Sequence, residues 1–143
     1  MKSRFNSLVN VHKNRVQSGE RAVQQAHNNL KNAERALSES LSELEKIEMP
    51  LHGRVDLFLS NRALLQAQRA QIKHNEEWVL FAKNELENKK AELRKEMREY
   101  EKFNYLKHKE IEEKLKTLKQ QEAKNLDEIA LISHARKNKS RSL

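Results

Sequence analysis

An all-α fold is predicted, with two long helices forming an antiparallel coiled-coil hairpin and a C-terminal helical overhang; three observations point to it. Six apolar residues recur at heptad spacing in the first third of the 143-residue chain: Val9, Val16, Val23, Leu30, Leu37 and Leu44. Seven more do so further on: Phe58, Leu65, Ile72, Val79, Leu86, Leu93 and Tyr100. The only proline and one of only two glycines, Pro50 and Gly53, lie between the two runs. Sustained heptads mark helices that pack along a seam. A chain with so few breakers has one place to turn.

Composition narrows the class further. Apolar residues make up 36% of the chain and charged residues 35%, too little apolar material for a thick globular core. Disorder is the other reading of such charge density, but disordered segments do not hold apolar residues in phase over many heptads. The absence of cysteine excludes disulfides and thiolate metal sites. No uninterrupted apolar run, Leu57-Phe58-Leu59 among them, is nearly long enough to span a membrane. No apolar stretch of signal-peptide length follows the basic residues of the N-terminus, so a soluble cytoplasmic protein is expected. The net charge of +8 is concentrated at the ends, with Lys2, Arg4, Lys13 and Arg15 before the first acid and Arg136, Lys137, Lys139 and Arg141 after the last. Such ends suit an acidic protein, an anionic lipid surface or nucleic acid.

Taken in order, the elements of a single coiled-coil domain over residues 1–143 are a helix at 3–48, a turn at 49–54, a helix at 55–136 and a basic tail at 137–143. Ser3 or Asn6 can cap the first helix. Pro50 drives Met49 out of the α region and ends it. Asp56 suits the positive end of the second helix. With the Val/Leu run of the first helix at heptad position a, position d reads His12, Gly19, Ala26, Ala33, Ser40 and Ile47. This largely small row can accept the large row of the second helix, because a layers face d layers in an antiparallel pair. The d row of the second helix is polar: Asn61, Gln68, Asn75, Ala82 and Lys89. It weakens the seam and helps set its register. Gly19 is expected to be a soft point.

The first helix has residues enough to cover the second only to about Tyr100. Beyond it the apolar pattern changes phase and continues as Ile111, Leu115, Leu118, Leu126, Ile129 and Ile132. This stripe asks for a partner: a foreign protein surface, or a second overhang. Leu41, Leu57, Leu64 and Trp78 fall beside the seam and, with Gln68 and Gln71, form a second candidate docking patch. No catalytic, cofactor-binding or metal-binding residue is assigned. The six histidines include no pair at three- or four-residue spacing, and no phosphate loop or nucleophile elbow occurs.

Two stretches resemble the flagellar export protein FliJ family. The opening Met1-Lys2-Ser3-Arg4-Phe5-Asn6-Ser7-Leu8-Val9-Asn10-Val11-His12-Lys13 is similar to the start of that family, and Lys124-Asn125-Leu126-Asp127-Glu128-Ile129-Ala130 is similar to its C-terminal Lys-x-x-Asp-Glu-x-Ala pattern. The resemblance implies a non-enzymatic stalk or coupling component of flagellar type III export, cytoplasmic and peripheral to the inner-membrane machinery. Its implied partners are a hexameric export ATPase, the cytoplasmic domain of the export gate, and export chaperones that it escorts. The implied ring-contact residues are Lys124, Leu126, Asp127, Glu128 and Ile129, with Ile132 continuing the stripe. The gate patch is not carried over residue by residue: Gln68 and Gln71 stand where aromatic or aliphatic residues would be more usual. The alternatives are an equivalent stalk or chaperone of an injection-type secretion system, and a basic nucleic-acid-binding coiled coil. Against the last, no basic region forks from a zipper, and no specific nucleic acid is expected.

Overall fold

The computed structural model describes residues 2–48 and 52–141. Met49, Pro50 and Leu51 of the expected turn lie outside the described residues, as do Ser142 and Leu143 of the expected basic tail. Two helices, α1 (Asn6–Glu45) and α2 (Val55–Arg141), pack against each other as an antiparallel hairpin, and no strand occurs among the described residues. The chain divides into two compact units, one of Asn14–Arg98 and one joining Met1–Lys13 to Glu99–Leu143.

The helix ends follow from local chemistry. Ser3 precedes α1 and closes its first turn: its carbonyl accepts from the Asn6 N–H at 3.1 Å, and its hydroxyl accepts from the Phe5 N–H at 3.1 Å. At the other end α1 stops at Glu45, where Lys46 and Ile47 donate three residues back to Glu43 and Leu44, each at 3.2 Å. These tighter bonds satisfy carbonyls that a continuing helix would have used. Gly53 has φ of +139°, a region that side-chain-bearing residues rarely adopt. Helix α2 starts at Val55, so Asp56 lies within its first turn, where a carboxylate complements the helix dipole. It continues beyond Arg136 to Arg141. No breaker interrupts residues 137–141, and Lys139 and Arg141 favour the negative end.

In the unit Asn14–Arg98 the small row of α1 receives the large row of α2. Ala33 is fully buried against Val79 and Ala82, with Leu30 and Leu37 packed at the margin. Ala26, Ser40, Ile72 and Leu86 are buried along the same seam. At Gly19 a Cβ would meet Leu93 Cδ1 at 3.1 Å, so the absent side chain permits a close approach. The polar d row is satisfied across the seam: Asn61, Gln68 and Asn75 donate to the carbonyls of Glu48, Ser40 and Ala36 at 3.2, 2.8 and 3.2 Å. The buried amide of Asn75 and the half-buried one of Gln68 thus have partners that exist only in this register. Phe58, expected to open the core run of α2, is 44% exposed. The helical part of α1 ends at Glu45, so its regular ladder of side chains does not extend alongside the first turns of α2.

In the unit of Met1–Lys13 and Glu99–Leu143, the N-terminal segment covers α2 further than Tyr100. Phe103, Lys107 and Glu110 are half-buried, as is Ile111. Residues 4 and 5 form a turn ahead of Asn6, closed by the Asn6 N–H on the Ser3 carbonyl, and Ser3 before it reaches Glu110. His12, at an expected core position, is buried and stacks on Phe103 with ring centroids 4.9 Å apart. Phe5 lies 6.5 Å from the same ring. From residue 112 to residue 141 every position is exposed. The uncovered helix is therefore about 45 Å long.

Candidate functional site

Two surfaces carry the candidate residues. The first is the uncovered end of α2. Successive helical residues turn by about 100°, which places Leu115, Leu118, Leu126, Ile129 and Ile132 on one side. All five are exposed, with Leu126 at 66%. Lys124, Asp127 and Glu128 fall on the other side of the same helix. The six expected ring-contact residues therefore divide into an apolar face (Leu126, Ile129, Ile132) and a charged one (Lys124, Asp127, Glu128). Leu131, 69% exposed, stands among the charged residues; it breaks the apolar spacing, so periodicity alone did not single it out.

Where the covered stretch gives way to the bare one, Glu110 gathers cations and donors. Lys114 Nζ lies 3.0 Å from one carboxylate oxygen, while the Ser3 hydroxyl donates to the other at 3.2 Å and Arg4 Nε lies 3.4 Å from it. Lys114 also donates to the Lys2 carbonyl at 3.2 Å. The hydrogen bond from Lys114 is the main reason the Glu110 carboxyl titrates below the usual carboxylate range; desolvation opposes it, and Ser3 and the Arg4 backbone add to it. This cluster pins the start of the chain to α2. It offers no acid–base chemistry, because a carboxylate held ionised by cations neither donates nor readily takes a proton.

The second surface lies in the unit Asn14–Arg98. Leu57, Leu64, Gln71 and Trp78 follow one another at heptad spacing on one flank of α2, and all are exposed. Leu41 is exposed on α1 at 44%. Gln68 belongs elsewhere: it is half-buried, and its amide is spent on the Ser40 carbonyl. Gln71 donates to Asn75 Oδ1 at 3.2 Å, within the network that fixes the seam. The structure adds Leu80 and Phe81, 60% and 63% exposed. Phe81 and Trp78 line a groove of about 400 Å³ whose other wall includes Ala22 and Ala26 of α1. Neither residue sits in the seam heptads, so only their adjacency in space to the alanine row reveals this groove.

Among the described residues no group of three or more His, Cys, Asp or Glu side chains could hold a metal ion. No helix among them is long and apolar enough to cross a membrane.

A family model for the flagellar FliJ protein matches residues 1–139. No curated protein and no solved structure matches the chain. The match includes both helices, the bare end of α2 as far as Lys139, and both stretches that resemble the family. With almost the whole length accounted for, the chain belongs to the flagellar FliJ family, a family of non-enzymatic components with an export-related role in the flagellum.

Proposed function

We propose that this protein is a stalk and coupling factor of flagellar type III export, inserting the uncovered end of α2 into a hexameric export ATPase. The observation that carries this reading is a helix exposed on every side from residue 112 to residue 141, apolar on one face and charged on the other. A shaft inside a ring is surrounded, so both faces find neighbours there. The apolar face leaves water, and the basic residues Arg136, Lys137, Lys139 and Arg141 meet acidic loops. Lys124, Leu126, Asp127, Glu128, Ile129 and Ile132 make the ring contact in this reading. The flank of Leu57, Leu64, Gln71 and Trp78, with Leu41 across from it, meets the cytoplasmic domain of the export gate. Gln68 supports that flank from the seam. Export chaperones are further partners, and the protein works in the cytoplasm at the inner face of the membrane.

Truncation tests the proposal. Residues 122–141 are all exposed helix, so on removal of residues 122–143 the hairpin is expected to keep its circular dichroism while binding to the ATPase and stimulation of its activity are lost. Undiminished stimulation by the shortened chain would refute the shaft.

A further inference from the structure

The bare stripe of α2 is complementary to itself when its direction is reversed. Leu115 stands as far before the Ala123–Lys124 peptide bond as Ile132 stands after it, and Leu118 and Ile129 are matched in the same way. All four are exposed, at 45%, 46%, 59% and 55% in chain order. With Glu122 and Asn125 they form an alternating three- and four-residue series, the spacing of an a/d seam. A second copy running antiparallel sets Leu115 against Ile132 and Leu118 against Ile129, each pairing occurring twice by symmetry. Glu122 then faces Asn125 at the centre. Charge selects the same direction. Antiparallel pairing brings Arg136 and Lys137 of one copy near the acidic run that ends in Glu112 and Glu113, both exposed. Parallel pairing would put Glu122 against Glu122 and each basic end against its own copy, which like charges oppose.

We infer that the free protein associates with a second copy of itself through residues 112–136, as an antiparallel pair of α2 ends. The paired surface contains Ile129 and Ile132, so a paired copy cannot offer them to another partner. That consequence, though not the pairing, rests on the function proposed above: self-association withholds the shaft until a ring displaces it.

The chain has no cysteine, so introduced cysteines report the register directly. Full-length Leu115→Cys mixed with full-length Ile132→Cys should form a disulfide between copies under mild oxidation, whereas Leu115→Cys alone should not. Sedimentation equilibrium of the unmodified chain should show a mass rising toward twice the monomer. The double variant Leu118→Lys, Ile129→Lys should weaken association by at least about tenfold, because it sets lysine against lysine in two of the four apolar layers. Its helix content, checked by circular dichroism, should remain, since both positions are exposed in the single chain. A monomer at every soluble concentration would overturn the inference, and so would Leu115→Cys joining to itself. No ATPase is present in these measurements, so failure of ring binding and failure of self-association are read separately.

Discussion

Helix α2 contains two stretches with similar apolar spacing and opposite surroundings. Between Ile72 and Leu86 the residues Ile72, Asn75, Val79, Ala82 and Leu86 are all buried, and a polar amide among them is satisfied by an α1 carbonyl. Between Leu115 and Ile132 the stripe has aliphatic residues of the same kind, yet every one is exposed. The difference lies in what faces them. Opposite the first stretch α1 offers Ala26, Ala33 and Ser40, small enough for close backbone approach. No residue of the described chain covers the second. An apolar stripe is stabilising only when something removes it from water, so the same chemistry holds the fold together in one place and stays open to water in the other.

Truncating one aliphatic side chain in each stretch should separate them most clearly. Leu86→Ala is expected to cost about 2–5 kcal/mol in urea unfolding followed by circular dichroism, and Ile129→Ala no more than about 0.5 kcal/mol. Equal losses would mean that the bare stripe is packed within its own chain. Enlarging an alanine gives the next largest contrast. Ala33→Leu pushes a bulkier side chain into a site with no exposed surface and should destabilise by about 1–3 kcal/mol, whereas Ala130→Leu adds only exposed surface and should leave the midpoint nearly unchanged.

The smallest expected effect sharpens the boundary between covered and bare helix. The Lys114 hydrogen bond holds the Glu110 carboxyl below the usual carboxylate range in the folded chain, so its contribution is full above that range and lost as pH falls through the lowered value. Amide protection at residues 3–9, corrected for the intrinsic exchange rate at each pH, should therefore fall in that acidic window before that of the Asn14–Arg98 unit. Glu110→Gln should remove the dependence; if it persists unchanged, another group anchors the start of α1.

The seam was legible over most of its length, Phe58 at its start excepted. Heptad spacing assigned His12, Ala26, Ala33 and Ser40 to the core of α1 and Ile72, Val79 and Leu86 to that of α2, and all seven are buried. The candidate surfaces were legible unevenly. Leu126, Ile129 and Ile132 follow from periodicity together with the shortness of α1, whereas Leu80, Phe81 and Leu131 lie off the repeat and are recognised only by their exposure. Gln68 stands both in the polar d row and in the expected docking patch, and the seam spends its amide on the Ser40 carbonyl. The reach of α1 was underestimated. The helix expected from residue 3 begins at Asn6; residues 4 and 5 form a turn ahead of it, and Ser3 and Arg4 reach Glu110.

Local pattern determined the helices, the position of the turn between the two runs and the identity of the two facing rows, because each depends on spacing that a helix converts directly into a face. Tertiary structure decided where coverage ends, how polar side chains in the seam are satisfied and which aromatic residues border a groove. Those outcomes depend on which backbone atoms of one helix lie opposite which side chains of the other, a relation that no single stretch of chain contains.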